Sequence, residues 1–320
     1  MKEISITEIE NVSIGNAQDF AGGTGCTVIL CERGAPTGVD VRGGAPASRE
    51  TDLLDPVATV DRIHAVLLSG GSAFGLDAAA GVMEYLERKN VGFDAGVAKV
   101  PIVCQSSLFD LVVGSAAARP DKAMGYQACV DSESNRPQEG NVGAGTGATV
   151  GKYHGLNYMM KSGLGIYAVQ LGELKLAAIV AVNALGDVFD PETGKIIAGM
   201  LTPDLTGFAN TELAMYSQYS NKKDLFTGNT TIGAIVTNGK FNKVQAAKIA
   251  AMAQNGYAKA IFPVHTTADG DSIYAMSVGD VEADINVVGT LAAKVTAKAV
   301  ARAVSQAEPA YGLKSARDFL

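Results

Sequence analysis

Asn229-Thr230 is the dipeptide whose chemistry would matter most in this chain. A threonine hydroxyl can attack the carbonyl of the peptide bond before it and turn that amide into an ester. Water then releases a free amine. An N-terminal threonine made this way carries its own base, because an α-amine with a pKa of about 7.7–8.0 is partly neutral near pH 7. Gly228 and Asn229 both tolerate the unusual backbone angles such an attack needs. From Thr230 to Val236 the residues are β-branched or apolar, the composition of a buried strand. A polar stretch, Ser217 to Asp224, precedes them. The plain alternative, a loop entering a core strand, stays open at this point.

Asp269-Gly270-Asp271 offers two carboxylates that share a face if the backbone is extended. A polar turn between strands fits the same residues. Two such oxygens are too few for calcium and no third ligand accompanies them, so no metal is expected. They could instead orient an ammonium group, and a freed Thr230 would supply one. Asn183 ends the apolar run Ala177 to Val182. It reads either as a turn residue or as an amide that donates to an oxyanion. Lys152 closes the glycine cluster Gly143 to Gly151; a lysine on a turn is ordinarily solvated. Gly70 to Gly75 before a helix could hold an anion on backbone amides. It lacks the P-loop and dinucleotide patterns, and both glycine clusters read better as devices for close packing.

These groups need rigid elements around them. Ile4–Ile9, Cys26–Cys31, Gly38–Arg42, Arg62–Leu68 and Val100–Val103 read as strands. Ser72 is expected to cap a helix carrying Leu76, Ala79, Ala80, Met83 and Leu86 on one face. Lys122–Val130 reads as a short helix, and residues 206–219 as helical or irregular. A meander follows from Gly165–Leu171, Lys175–Val182 and a short pair between Asp187 and Ile197. After Thr230 come a strand to Thr237, a helix from Asn242 to Gly256, strands Ala260–Val264 and Ile273–Val278, and a helix Ile285–Ser305 with a stripe of Val288, Leu291, Ala292, Val295 and Ala299. The expectation is an α/β fold, mixed sheets with helices packed outside, as one domain over residues 1–320.

Composition bounds the function. Hydrophobic residues make up 47% and charged residues 18% of the 320, with 37 Gly and no Trp. A net charge of −7 argues against nucleic acid as partner. No apolar run approaches the roughly 20 residues that span a bilayer, and Met1-Lys2-Glu3-Ile4 carries no signal-peptide core. Four dispersed cysteines, Cys26, Cys31, Cys104 and Cys129, suit a reduced, cytoplasmic chain. Three histidines, His64, His154 and His265, assemble no zinc motif, and no organic cofactor is implied.

Taken together the motifs resemble a known family. Gly228-Asn229-Thr230-Thr231-Ile232, Ile235-Val236-Thr237-Asn238, His265-Thr266 with Asp269-Gly270-Asp271, Leu68-Ser69-Gly70-Gly71-Ser72-Ala73-Phe74-Gly75-Leu76 and Pro120-Asp121-Lys122-Ala123 are similar to the self-processing aminopeptidases of the DmpA/BapA type. Within them the chain looks closest to the 6-aminohexanoate-oligomer (nylon-oligomer) hydrolases, from about Asn11 to Arg302. The resemblance implies an αββα sandwich, two sheets between helices. It implies autocatalytic cleavage between Asn229 and Thr230 into chains 1–229 and 230–320 that stay associated. It also implies assembly of several such pairs into a homo-oligomer. Thr230 becomes the nucleophile, Asp269 and Asp271 support it, Asn183 helps hold the oxyanion and Lys152 lines the site. Several aminopeptidases of this type have Ser at the positions of Thr230 and Asp269, so the chain sits nearer the Thr/Asp/Asp branch. The expected substrate is a small peptide or ω-amino amide. The alternatives are an acyltransferase of the ornithine-acetyltransferase type and a glycine-rich ligand-binding protein.

Overall fold

An 18-residue strand, Thr24–Val41, ties two sheets together. In the computed structural model, which describes residues 1–220 and 228–319, its first half pairs with Ser13–Asp19 and Arg62–Ser69. Its second half pairs with Ser272–Val281. After a register break between Leu30 and Ala35 the strand pairs with Arg62–Ser69 only through Ala35 and Pro36, and the new partner begins at Thr37. The first sheet continues from Arg62–Ser69 to the parallel Val103–Ser107 and the short Ser48–Arg49. The second runs through Ser272–Val281, Thr230–Gly239, Leu174–Asn183, Leu164–Leu171 and Lys2–Glu3. Here Thr230–Gly239 lies parallel to Ser272–Val281 and antiparallel to Leu174–Asn183.

Helices cover the outer face of each sheet. Ala78–Arg88 (α1) and Lys122–Ser132 (α2) lie on the first; Lys243–Ala260 (α4) and Ile285–Ser305 (α5) lie on the second. A short helix, Thr211–Ser217 (α3), stands apart from these layers. Period-two alternation decides which face meets which layer. Leu176, Ala178, Val180 and Val182 pack toward α4 and α5, while Ala177, Ile179 and Ala181 pack between the sheets. Cys26 and Cys31, five residues apart, likewise fall in different layers. All four cysteines are free and buried. The result is an αββα sandwich, as expected. Among the described residues no helix is long and apolar enough to cross a membrane.

Several elements differ from expectation for local reasons. Ile4–Ile9 is not a strand. Ser5 and Glu8 form a capping box that turns Ile6–Glu8 into a 3₁₀ helix, with Ile4, Ile6 and Ile9 buried. Ser72 does not cap α1: it sits at φ +53° inside the turn, and 3₁₀ helix Ser72–Asp77 comes first. The expected strand Val100–Val103 is divided: Val100 ends a short strand, Lys99–Val100, paired with Phe93–Asp94, and the sheet strand begins at Val103, with the Ile102 N–H between them donating to His64 Nδ1 at 3.1 Å. Gly256 does not end α4. A Cβ there would come within 2.5 Å of Ala293 O and Thr296 Cβ, so the glycine lets α4 and α5 approach and the helix runs on to Ala260. Of the polar stretch Ser217–Asp224, positions 221–224 lie outside the described residues.

Candidate active site

Register places the first pair of residues. Thr230 is the first residue of its strand and faces Asn183, the last residue of the neighbouring antiparallel strand. On the other side an isolated parallel bridge joins Asn229 to Asp269, and Ser272–Val281 then continues beside Thr230–Gly239. Two neighbouring strands therefore deliver Asn183, Asp269 and Asp271 to the same end of one sheet. Thr230 and Asn229 are 4% and 1% exposed, so this end of the sheet is closed to solvent in the intact chain. Surface clefts of about 760 and 640 Å³ lie elsewhere and are lined by none of these residues.

The peptide bond between Asn229 and Thr230 is held at its carbonyl. The Thr230 hydroxyl donates to the Asn229 carbonyl oxygen. The Gly270 N–H donates to the same oxygen at 2.9 Å. Gly270 must be glycine for this: a Cβ there would lie 2.7 Å from the Thr230 hydroxyl oxygen. Gly228 adopts φ +68°, and a Cβ on it would meet the Phe109 ring at 2.2 Å. Gly270 thus brings backbone close to the threonine, and Gly228 makes the turn against Phe109 that leads into it.

The two aspartates do different things. Asp271 Oδ1 accepts the Thr231 N–H at 2.7 Å. Its Oδ2 accepts the His265 backbone N–H at 3.2 Å and the His265 ring at 2.8 Å through Nδ1. Asp269 turns back on its own loop, where Oδ2 accepts the Thr266 N–H at 2.8 Å and the Thr266 hydroxyl at 2.5 Å. Burial, and then the nearby Asp271 carboxylate, push the Asp269 pKa up to about 6.

Lys152 is not solvated. It is 1% exposed, and its ammonium reaches Asn183 Oδ1 at 2.8 Å, the Asn183 carbonyl at 3.0 Å and the Gly228 carbonyl at 3.4 Å. Burial lowers its pKa to about 7, although Asp269, Asp110 and Asp271 pull the other way. The Asn183 Nδ2 group donates to the carbonyls of Phe109 at 3.0 Å and Gly228 at 3.2 Å. Its Oδ1 also accepts the Thr149 N–H at 3.0 Å. Asn183 and Lys152 thus face the Gly228 carbonyl, whereas the Asn229 carbonyl receives the Thr230 hydroxyl and the Gly270 amide. Sequence reading missed that amide, His265's contact with Asp271, Thr266 and Phe109. Only Thr266 had a local signal, a hydroxyl residue three positions before an aspartate.

The glycine loop at Gly70 is closed from inside. The Gly71 N–H donates to Asp110 Oδ1 at 2.7 Å, and the Thr24 hydroxyl donates to Asp110 Oδ2 at 2.7 Å. An internal carboxylate therefore occupies the place of an external anion. In the second glycine cluster, buried Lys161 binds the carbonyls of Gly145 and Ala148 at 2.9 and 3.1 Å. Burial raises the Asp110 pKa from 3.8 to about 6. Between those values the folded chain keeps a proton the unfolded chain has lost. The stabilising contribution is complete below pH 3.8 and is lost as pH rises through 6. At about 1.4 kcal/mol per pH unit the loss is on the order of 3 kcal/mol. Asp110→Asn keeps an oxygen for Gly71 and an amide for the Thr24 hydroxyl. Its Tm is expected to exceed wild type by a few °C at pH 8, with the gap closing toward pH 4; thermal scans across that range check it.

The model of Peptidase family S58 matches residues 5–317. An uncharacterized aminopeptidase of Mycobacterium leprae is 36% identical over 345 residues, covering 97% of this chain and 92% of that protein. The 6-aminohexanoate-oligomer endohydrolase of Kocuria sp. is 31% identical over 278 residues, covering 86% of this chain and 75% of that one. Among solved structures, the fold is similar to the L-aminopeptidase D-Ala-esterase/amidase of Ochrobactrum anthropi, a prototype for the serine aminopeptidases and a variant of the Ntn hydrolase fold. The TM-score is 0.70 at 16% identity, over 95% of this chain and 86% of that one. A Burkholderia sp. β-aminopeptidase matches with TM-score 0.63 at 15% identity, over 94% and 86%. The chain belongs to peptidase family S58, a peptide or amide hydrolase with the Ntn hydrolase fold.

Proposed function

We propose that the chain cuts itself between Asn229 and Thr230, and that the freed Thr230 then hydrolyses small peptides or ω-amino amides through an acyl-enzyme. The observation that carries this reading is the Asn229 carbonyl oxygen, which receives the Thr230 hydroxyl and the Gly270 N–H together. Attack of the hydroxyl oxygen on that carbonyl carbon makes a tetrahedral oxyanion beside a backbone donor. The C–N bond breaks, the hydroxyl proton ends on the departing amine, and an ester joins Asn229 to Thr230. Water hydrolyses the ester to an Asn229 carboxylate and a free Thr230 hydroxyl. Asp269 and Lys152, with pKa values near 6 and 7, are groups able to hold and return a proton close to neutral pH.

In turnover the order repeats on a substrate. The Thr230 amine takes the proton from its own hydroxyl, the oxygen attacks the substrate carbonyl, and the amine leaves protonated. Water then releases the acyl group. The relatives named as aminopeptidase and as 6-aminohexanoate-oligomer endohydrolase support amides of small amino acids or ω-amino acids as the substrate class. Intact mass and N-terminal sequencing of the purified protein test the reading. Two chains are expected, the smaller beginning Thr-Thr-Ile-Gly. A single intact chain with full amidase activity sinks it.

A further inference from the structure

His265 is half-buried beside Asp271, in a left-handed backbone conformation that a non-glycine residue rarely adopts. Its φ is +58°, a region that costs a non-glycine residue free energy unless its surroundings hold it there. What holds it is a clamp on one oxygen: the backbone N–H and the ring Nδ1 both reach Asp271 Oδ2. Facing a carboxylate, Nδ1 is the protonated nitrogen of the ring. The ring is 6.1 Å from that of Tyr257, and its Nε2 is buried with no partner among the described residues.

Both oxygens of Asp271 accept protein donors, Oδ2 from His265 twice and Oδ1 from the Thr231 N–H. On Asp269 both Thr266 donors fall on Oδ2, and neither uses Oδ1. Resting on the self-cleavage reading above, we propose that His265 is a positioning residue. It keeps Asp271 committed to the Thr231 amide, which aims the start of the strand, and leaves Asp269 as the carboxylate that receives the new Thr230 amine. Without the clamp, Asp271 can swing an oxygen onto the amine. The ammonium form then gains a second carboxylate and is stabilised, so the free base appears only at higher pH. Besides the two aspartates, the titratable groups facing this end of the sheet among the described residues are Lys152, Asp110 beyond it, and Tyr257 beside Asp271, all unchanged by the substitution.

The experiment uses the full-length chain, measuring the rate of self-cleavage and, on the cleaved enzyme, kcat, KM and the pH profile with a small amino-acid amide. His265→Ala is expected to slow cleavage and lower kcat by on the order of 10²-fold, the effect of misplacing a reacting group by about 1 Å. KM should change less than kcat. The acid limb of the profile should move up by about 0.5–1 pH unit, which loss of stability alone would not produce. His265→Asn supplies an amide donor for Asp271, tolerates positive φ and cannot titrate; it should return kcat and the acid limb most of the way to wild type. Wild-type kinetics and an unmoved limb in His265→Ala overturn the proposal. So does a folded His265→Asn as impaired as His265→Ala. Thr230→Ala in the same assay separates the two levels: if that variant is active, the self-cleavage reading itself fails.

Discussion

Thr230→Ala is expected to remain one uncut chain of 320 residues and to lose amidase activity by at least about 10⁴-fold. In the proposed mechanism the same atom serves both reactions. Without Oγ1 nothing attacks the Asn229 carbonyl, so no N-terminus forms, and without the N-terminus there is no base for turnover. The fold should persist. Thr230 is anchored by the strand pairing with Asn183 and by the Thr231–Asp271 bond beside it, and neither needs the hydroxyl. Its hydroxyl donates to the Asn229 oxygen, but Gly270 N–H still satisfies that acceptor. A Tm within a few degrees of wild type, one band on a denaturing gel and no product on long incubation is the expected set. Thr230→Ser should cut itself, because serine keeps the attacking oxygen and drops only a methyl group. A cut Thr230→Ala, or an uncut one with full activity, moves the nucleophile elsewhere.

Much of this was legible before any coordinates. Strands with alternating or continuous apolar runs, such as Leu174–Asn183, and helices with a clear cap, such as Asn242 before α4, carry their signals locally. The site was legible only as separate pieces. That Asn183 pairs with Thr230, and that Asn229 bridges to Asp269, are properties of strand order and register, which no local window contains. Lys152 shows the limit most plainly. On a glycine-rich turn it reads as solvated, yet the fold closes over it and supplies Asn183 and Gly228 oxygens to its ammonium. Gly270 reads as a spacer between two aspartates. What it brings to the site is its backbone N–H and the absence of a Cβ, neither of which residue type announces. Asp269 and Asp271 look equivalent in sequence; their hydrogen bonds separate them, because Asp271 spends both oxygens on neighbours.

Lys152→Met is expected to slow self-cleavage by about 10²–10⁴-fold, the range for loss of a positioned proton-transfer group, while leaving Tm at or above wild type. The opposite signs follow from burial. Folding moves the lysine pKa from 10.5 down to about 7, so between those values the unfolded chain binds the proton more readily. That difference lowers stability below pH 7 and is recovered as pH rises toward 10.5; at about 1.4 kcal/mol per pH unit it amounts to about 5 kcal/mol at most. Methionine removes it. It also removes three hydrogen bonds, to Asn183 Oδ1, the Asn183 carbonyl and the Gly228 carbonyl, worth together about 3 kcal/mol at roughly 1 kcal/mol each. The desolvation relief is the larger, and Asn183 Oδ1 keeps the Thr149 N–H. Activity behaves otherwise. Lys152 is the cation beside the Gly228 carbonyl, and its lowered pKa makes it half neutral near pH 7. Losing it also removes the positive charge that favours ionised Asp269, so the Asp269 pKa should rise further and the residual cleavage should shift to higher pH. Cleavage time courses from pH 6 to 9, read beside thermal scans of the same samples, test both halves. A variant that unfolds early, or one that cleaves at the wild-type rate, contradicts a buried lysine held there for proton transfer at a cost in stability.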